Sequence, residues 1–404
     1  MRIAVVVLVG ALAVAATAGA QPAARSPQVV TLAEALDLAA RRAPDAAAAT
    51  VRLDAARASA AEAGRLPNPA IELRAENWAV GGSDVPEDFF AVATTPIELG
   101  GKRGARRTVA QAGIVAAEAA SALVRRRVHQ DVTSRFFDAL RAAARASALS
   151  DAERGVAELV RIAARRVEEG VLADAALRRL EAEHARTGAE RARAEADRAI
   201  AAVQLAARLG LADVTPAVPG GPPPAAAPGP PDGRADLAVA RARLEVARRA
   251  LRFEQALGVP DLAVSGGYKR TGGHNTGVLA VTMAVPFFDR NRAAVAAARG
   301  EVRAAELDLE MATLAATGEA RATADAARTL AAASTDITTR LVAPATVARD
   351  AARSAFLSGA IDLVALLDAE RAHTDARIAA DTLQFDAWQA AVTARLAAGE
   401  DPLP

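Results

Sequence analysis

A set of landmarks recurs along this chain at a nearly constant spacing, and any fold that cannot accommodate the recurrence is excluded. Leu66-Pro67-Asn68-Pro69 precedes a strand-like segment, and so does Val259-Pro260-Asp261. Thr95-Pro96-Ile97 closes a second such segment, and so does Val285-Pro286-Phe287. Gly170 interrupts one helical stretch and Gly359 another; beyond each stands a Glu-x-x-His, Glu181 with His184 and Glu370 with His373. The offsets are 193, 190, 189, 189 and 189 residues. Five landmarks at one spacing define an internal duplication. The copies occupy 21–210 and 235–404. Between them Leu211 to Arg234 holds eight of the 20 prolines, and reads as a polyproline-like linker rather than a buried element.

Each copy reads helix, strand, strand, long helix, turn, helix. Thr31 with Glu34 three residues on forms a capping box, Pro44 interrupts the helix that follows, and the pattern resumes to about Arg65. No proline occurs from Gly101 to Glu169; at 1.5 Å per residue that stretch could span roughly 100 Å. Helix resumes over 171–209. The second copy gives helices over 234–257, 290–357 and 361–398. Gly155 and Pro344, 189 apart, predict a bend at one place in both long stretches. Val295, Val302 and Leu309 fall seven apart, as in a coiled-coil seam. Composition agrees. Apolar residues make up 52% and more than half of them are alanine, while aromatics are 3%. That balance argues against a jelly roll, a doubly wound sheet or a barrel enzyme, and favours long, closely packed helices. The expected class is mainly α with a small β part.

The strands carry the functional information. Over 70–78, Ile71, Leu73 and Ala75 alternate with Glu72, Arg74 and Glu76. Further strands are expected over 89–95, 262–269 and 278–285, the last with Leu279, Val281, Met283 and Val285 on one face. About nine residues with period-two alternation is the length of a membrane-spanning β-strand. Trp78, Phe89, Phe90, Tyr268, Phe287 and Phe288 lie in or beside these segments, half of all the aromatics, as an interfacial belt would place them. The alternative is a pair of soluble hairpins packed on helices. In lipid every strand edge must be paired and four strands cannot close a barrel, so several chains would have to share one. Three chains would supply 12 strands, though edge pairing alone does not dictate three.

Met1-Arg2, the apolar run Ile3 to Ala16 and Ala18-Gly19-Ala20 have the form of a cleaved export signal over residues 1–20; the apolar run is too short for a permanent span. Zero cysteines exclude disulfides, thiolate metal sites and a lipid anchor on a cysteine. With 49 basic and 48 acidic residues, there is no electrostatic reason to expect a nucleic-acid partner.

Taken together, the leader, the doubled unit, Leu66-Pro67-Asn68-Pro69, the run from Pro96 to Arg103 (Pro-Ile-Glu-Leu-Gly-Gly-Lys-Arg) and Pro286-Phe287-Phe288-Asp289-Arg290-Asn291 resemble the TolC-type outer membrane efflux proteins. The Glu-Leu-Gly-Gly-Lys-Arg segment is most similar to the CzcC-like heavy-metal branch. The resemblance covers about Val30 to Gly399. It implies a homotrimer whose four strands per chain contribute to a 12-stranded β-barrel in the outer membrane of a Gram-negative bacterium, with the long helices forming an α-barrel in the periplasm. It also implies a periplasmic membrane-fusion adaptor and an inner-membrane RND-type pump as partners, and a passive duct, not an enzyme, with divalent heavy-metal cations as the expected substrate. The turns at Gly170, Val171 and Leu172 and at Gly359, Ala360 and Ile361 match the periplasmic tips that meet the adaptor; an ordinary helix C-cap is the plainer account of the glycines. Asp368, nine residues after the second turn glycine, matches an acidic ring that narrows the tip, where three carboxylates would hold cations; a solvated helix acid is the alternative. The pattern departs at Arg179, which holds the corresponding place in the first copy, and at Ile361, where the family places an arginine.

No cofactor site is expected. The two Glu-x-x-His pairs have the spacing of di-iron bundles, but duplication alone accounts for both, and His129 and His274 are isolated. A periplasmic coiled-coil scaffold or adaptor without a barrel stays open as the other class of function. Within the duct class, multidrug efflux and type I secretion stay open beside metal export.

Overall fold

The structure is a computed structural model, and it describes residues 28–77, 87–227 and 229–403. The leader expected over 1–20 and Trp78 lie outside the described residues.

In the first copy, β1 (Gln28–Val30) leads into α1 (Leu32–Arg42) and α2 (Pro44–Glu62). The capping box forms as the sequence requires: the Glu34 amide donates to Thr31 Oγ1 at 3.3 Å, and Glu34 Oε2 accepts from the Thr31 amide at 2.8 Å. Pro44 opens α2 as its first residue, where its missing N–H costs nothing. The strands β2 (Ala70–Glu76) and β3 (Asp88–Ile97) follow, then α3 (Lys102–Glu168) and α4 (Asp174–Leu209). The linker starts with β4 (Val214–Pro216). The second copy comprises α5 (Ala235–Leu257), β5 (Leu262–Thr271), β6 (His274–Met283), α6 (Arg292–Ile337), a π-helical turn over Thr338–Val342, α7 (Ala343–Ser358) and α8 (Leu363–Ala398). At 67 residues α3 spans about 100 Å. It is the spine of the molecule and packs against α1, α2, α4, α5 and α8.

Several expectations need correction. The linker is not wholly an exposed loop. β4 pairs in parallel with β1, Val214 with Gln28 through Pro216 with Val30, and both Val30 and Val214 are buried. The equivalent breakers also behave differently. Pro344 lacks an amide, and the helix just before it widens to i→i−5 bonding, the Ala343 amide donating to Thr338 O. Gly155 produces no break, because α3 runs through it. Its missing Cβ instead makes room for Arg353, whose Nη2 would lie 2.9 Å from that atom. Strand bounds also shift: β6 begins at His274, four residues before the expected start, because Gly272-Gly273 makes a two-residue hairpin turn with positive φ at both positions.

The four long strands form one antiparallel sheet in the order β2-β3-β5-β6. Register assigns its faces, since directly paired residues share a side. Ile71, Ala93, Gly266 and Leu279 lie across one row, and Leu73, Ala91, Tyr268 and Gly277 across another. That side is mostly apolar, with Arg270 and Asn275 in the row of Phe89 at its far end, and bare, with Ile71 77% and Leu279 81% exposed. The other side carries Glu72, Arg74, Glu76, Asp88, Thr94, Ser265, Lys269 and Thr276. Among the described residues β2 and β6 are unpaired edges.

The main core sits far from the sheet. Val128, Val132, Phe136 and Phe137 of α3 meet Leu36 of α1, Leu205 and Leu209 of α4, and Trp388 and Val392 of α8, sealed by Val30 and Val214. A second cluster, at the opposite end of α3, holds the two helical turns. No helix among the described residues is long and apolar enough to cross a membrane.

Candidate functional site: the helical tips and the strand joints

Each helical hairpin turns on one motif. α3 ends with Gly170 at φ +73°; its amide donates to Val167 O at 3.0 Å, and the Val171 amide donates to Arg166 O at 2.8 Å. α7 ends with Gly359 at φ +79°, its amide on Phe356 O at 3.1 Å and the Ala360 amide on Ala355 O at 2.8 Å. Both are Schellman caps, whose left-handed residue is glycine because a Cβ there meets the following carbonyl. The duplication therefore reaches single hydrogen bonds. Beyond the second turn Asp362 caps α8, accepting from the Ala365 amide at 2.8 Å; Ala173 holds its place before α4 and offers no side-chain cap.

The expected contact residues divide. Val171 is 69% exposed and Ala360 is exposed beside its own glycine. Leu172 and Ile361 are half-buried. They turn inward onto Leu159, Leu180, Phe356, Leu363 and Leu366, the nearest apolar surface that can cover a branched side chain. The two tips are clasped together by a residue that sequence reasoning missed. Arg166 of α3 donates through Nη1 to Phe356 O at 3.2 Å, a carbonyl that also accepts the Gly359 amide, and through Nη2 to Leu357 O, at the end of α7 where helix carbonyls lack intrahelical partners. No local pattern marks it, since its equivalent in the second copy is Ala355.

Above the tips a layer of buried charge pins the hairpins together. Glu183 on α4 is nearly buried and accepts from Arg371 of α8 (Nε 2.9 Å, Nη2 2.5 Å) and from Arg186 (Nη2 2.7 Å). Hydrogen bonds from Arg371 and then Arg186 hold its pKa down at about 2. Glu370 on α8 accepts from Nε and Nη2 of Arg353 on α7. His373 receives Arg349 Nη1 at 2.7 Å on Nε2 and lies 3.3 Å from Thr346 Oγ1 through Nδ1. Burial, then the neighbouring Arg349 charge, lowers its pKa. Glu181 pairs with Arg178 on its own helix at 3.0 Å. The two Glu-x-x-His motifs thus have different surroundings, and among the described residues no group of three His, Asp or Glu is arranged to hold a metal. Asp368 is exposed on α8, 4.0 Å from Arg371 Nη1.

Glu183 makes a pH prediction with a definite sign. Its folded pKa is depressed, so its contribution is complete above the unfolded value near 4.5 and is lost as pH falls toward 2. At 1.36 kcal/mol per unit, the loss is at most about 3 kcal/mol. Thermal melts between pH 5 and 2 are expected to show the wild type losing more stability than Glu183→Gln. Parallel curves would mean that the pairing carries no net energy.

At the other end of α3 the segment from Glu98 to Arg103 is a mechanical joint. Glu98 accepts from Arg106 at 2.5 and 3.1 Å, and Arg106 Nε donates to Ala63 O at 2.8 Å, tying strand end, helix start and α2 together. Buried Lys102 reaches Asp261 at 2.8 Å, and the same Oδ1 accepts the Leu99 amide at 3.0 Å, joining the two copies. Gly101 and Asn291 stand at the same place, each in the left-handed conformation just before its long helix.

The aromatics also divide. Phe89 and Tyr268 share the apolar face. Phe90 does not: it points to the polar face, with the Arg74 guanidinium 4.7 Å and the Lys269 ammonium 4.8 Å from its ring centre. Adjacent strand residues face opposite ways, so Phe89 and Phe90 cannot both belong to one belt. Phe287 and Phe288 lie beyond β6, exposed in the segment leading to α6.

These features recur in known proteins. The family described as outer membrane efflux protein matches residues 35–211 and again 232–400. The cobalt-zinc-cadmium resistance protein CzcC of Cupriavidus metallidurans is 28% identical over 382 residues, covering 90% of this chain and 88% of its own. The nickel-cobalt-cadmium resistance protein NccC of Alcaligenes xylosoxydans xylosoxydans is 29% identical, covering 74% of this chain and 70% of its own. Among solved structures, the outer membrane protein VceC of Vibrio cholerae superposes with a TM-score of 0.76 at 20% identity, covering 92% of this chain and 96% of that one. CusC superposes at 0.79 with 17% identity, covering 91% and 92%. With both copies matched and nearly the whole described length aligned, the chain belongs to the outer membrane efflux protein family.

Proposed function

We propose that this protein is the exit duct of a tripartite system that expels divalent heavy-metal cations. Three copies would form one continuous tube, with the sheet contributing to a shared barrel in the outer membrane and the helices forming a periplasmic conduit. The observation that carries this reading is the sheet: it is mostly apolar and bare on one side, polar on the other, and, among the described residues, open at both edges. Such a sheet is unstable alone in water or lipid and becomes satisfied when neighbouring copies close it. Metals as the cargo follow from the resistance named for CzcC and NccC, and the chain would bind none tightly in passing them.

The tips around Gly170 and Gly359 would meet the periplasmic adaptor, offering Val171 and Ala360 outward while Leu172 and Ile361 brace the turn from within. An inner-membrane RND-type pump would drive transport, so the duct performs no chemistry. Phe89 and Tyr268, with Trp78, Phe287 and Phe288, would sit at the membrane boundary, and Phe90 would face the lumen. Asp368 would repeat around the threefold axis as an acidic ring that favours cations. In planar bilayers Asp368→Asn is expected to lower cation-over-anion permeability several-fold; unchanged selectivity would remove Asp368 from the gate.

The deciding experiment is fractionation with a resistance assay. Heat-modifiable trimers in the outer membrane, together with restored cobalt, zinc or cadmium tolerance in cells supplied with an adaptor and pump but lacking a duct, are expected. Recovery as a soluble periplasmic protein would overturn the proposal in favour of a scaffold.

A further inference from the structure

α7 is held to α8 by a histidine that can do so only while it is neutral. Thr346 of α7 donates its hydroxyl hydrogen to Val342 O, four residues back, at 2.8 Å. A hydroxyl has one hydrogen, so toward His373 Nδ1, 3.3 Å away, Thr346 Oγ1 must accept. That places the ring hydrogen on Nδ1 and leaves a lone pair on Nε2. Arg349 of α7 points Nη1 at this nitrogen from 2.7 Å, and a guanidinium can only donate. Asp350 holds the guanidinium from its other edge, accepting from Nε at 2.9 Å and from Nη2 at 2.7 Å. Both bonds to the imidazole cross from α7 to α8, and His373 is buried. A second proton on Nε2 would set two N–H donors and two positive charges face to face. From this arrangement we infer that His373, with Arg349 and Thr346, is a pH-sensitive clamp that fastens α7 to α8 at neutral pH and releases it when the imidazole is protonated.

The clamp sits where α7 has the least support of its own. Val342, which takes the Thr346 hydroxyl, is the last residue of the π-helical turn, and Pro344, two positions on, has no amide to donate. Helices bend at such places, so contacts to α8 carry the alignment there. Toward the tip the next contacts are the Arg353–Glu370 pair and then the Arg166 bonds to Phe356 O and Leu357 O. Of all these side chains only the imidazole has its ordinary titration between pH 5 and 8. The duplication did not supply the device. At 189 residues back, Thr346 corresponds to Ala157, Arg349 to Val160 and Pro344 to Gly155, and α3 runs through all three without a break. Only the histidine is shared, as His184. Clamp and helix break are thus present together in the second copy and absent together from the first.

The surrounding charges offer a protonated ring no counter-ion. α7 presents Arg349 and Asp350, which pair with each other, and Arg353, which pairs with Glu370. α8 itself presents Glu370 and Arg377, and Asp151 of α3 accepts from Arg377 at 2.9 Å. Where α6 meets the π-helical turn, Asp336 and Arg340 pair with each other and are exposed. Glu183 of α4 is taken by Arg371 and Arg186. Each of these acids already has an arginine. Burial first, and then the Arg349 charge, push the His373 pKa below its ordinary 6.5. A base whose folded pKa is depressed contributes fully above the unfolded value, near 6.5, and its contribution is lost as pH falls toward the folded one. The clamp therefore releases in acid, starting at a higher pH than the window in which Glu183 titrates. It lies within a single chain and holds whether or not three copies close a barrel.

Hydrogen–deuterium exchange of the purified full chain at pH 8 and pH 5, corrected for the intrinsic pH dependence of amide exchange, tests the clamp. The readout is protection of peptides from α7 and the facing part of α8. The wild type is expected to lose protection there several-fold at pH 5, while peptides around Phe136 keep theirs. His373→Gln is expected to stay protected at both pH values, because its side-chain amide can accept from Arg349 and donate to Thr346 without titrating. Arg349→Leu removes the cation that a protonated ring would meet. It is expected to be less protected at pH 8 and to lose little more at pH 5, and it carries the test if the glutamine variant does not fold. Undiminished protection of the wild type at pH 5 would overturn the clamp. So would a loss of wild-type size in either variant, which would place the acid sensitivity elsewhere in the chain.

Discussion

Replacing Gly170 or Gly359 with proline is expected to abolish metal tolerance while the protein still reaches the outer membrane. Each glycine sits at φ above +70°, and a pyrrolidine ring holds φ near −65°. The substitution also deletes the Gly170 or Gly359 amide that closes the cap on Val167 or Phe356. Together these cost roughly 3 kcal/mol or more at a turn where only a few residues hold the geometry. The hairpin would splay, and Val171 or Ala360 would lose the position proposed above for meeting the adaptor. The graded series separates a tip effect from general damage. Alanine, which carries a left-handed penalty of roughly 1–2 kcal/mol, is expected to impair adaptor crosslinking in part, and asparagine to do so less. Unchanged crosslinking and growth on cadmium in both proline variants would mean that the tips are not the docking site.

Phe136→Ala is expected to produce the largest loss of stability available from one side chain. Phe136 and Phe137 are fully buried and meet edge to face with ring centres 5.7 Å apart. They stand where α1, α3, α4, α8 and the β1–β4 pair converge, the thickest core in the described structure. Removing such a ring costs roughly 3–5 kcal/mol, including the cavity left behind. A membrane assembly of this length is expected to unfold irreversibly, so the readout is the half-life of the folded protein at a fixed elevated temperature. Phe90→Ala is the control, since that ring lies on the sheet between two cations and not in a core. If the two variants lost stability equally, the core around Phe136 and Phe137 would not be what holds the chain together.

Much of the architecture was legible because it is written in short-range signals. Thr31 with Glu34, Pro44 at a helix start and a glycine at each hairpin turn act through the backbone of a few neighbouring residues, so the residues alone determine the outcome. Duplication multiplied their weight. The expected strands failed mainly at their ends, where pairing across the sheet extended β6 back to His274 and carried β3 through Pro96. Phe90 was misplaced, although its side could have been deduced: it follows Phe89 in a strand, and consecutive residues point to opposite faces.

The charge layer above the tips was not legible. Glu183 meets Arg371 from 188 residues away, and nothing local distinguishes it from the many acids on solvated helix faces. The Glu-x-x-His motifs have the spacing of a metal-binding bundle, yet Glu183, two residues beyond Glu181, carries the contact in the first copy. Gly155 shows the same division. Sequence position suggested a bend, whereas α3 runs straight through Gly155 and the end of the Arg353 side chain from another helix lies where a Cβ would stand.

By itself the sequence determined the doubling, the order of helices and strands, the alternation that gives the sheet an apolar and a polar side, and the resemblance carried by its strand-to-helix joints. Each depends on periodicity or on backbone geometry within a few residues. Tertiary structure alone decided which arginine pairs with which buried acid, which tip residues turn inward, which side Phe90 was seen to occupy and which edges stay open. Those outcomes depend on groups brought together across nearly 200 positions, where the energy of burying a charge or an apolar side chain is set by what packs against it.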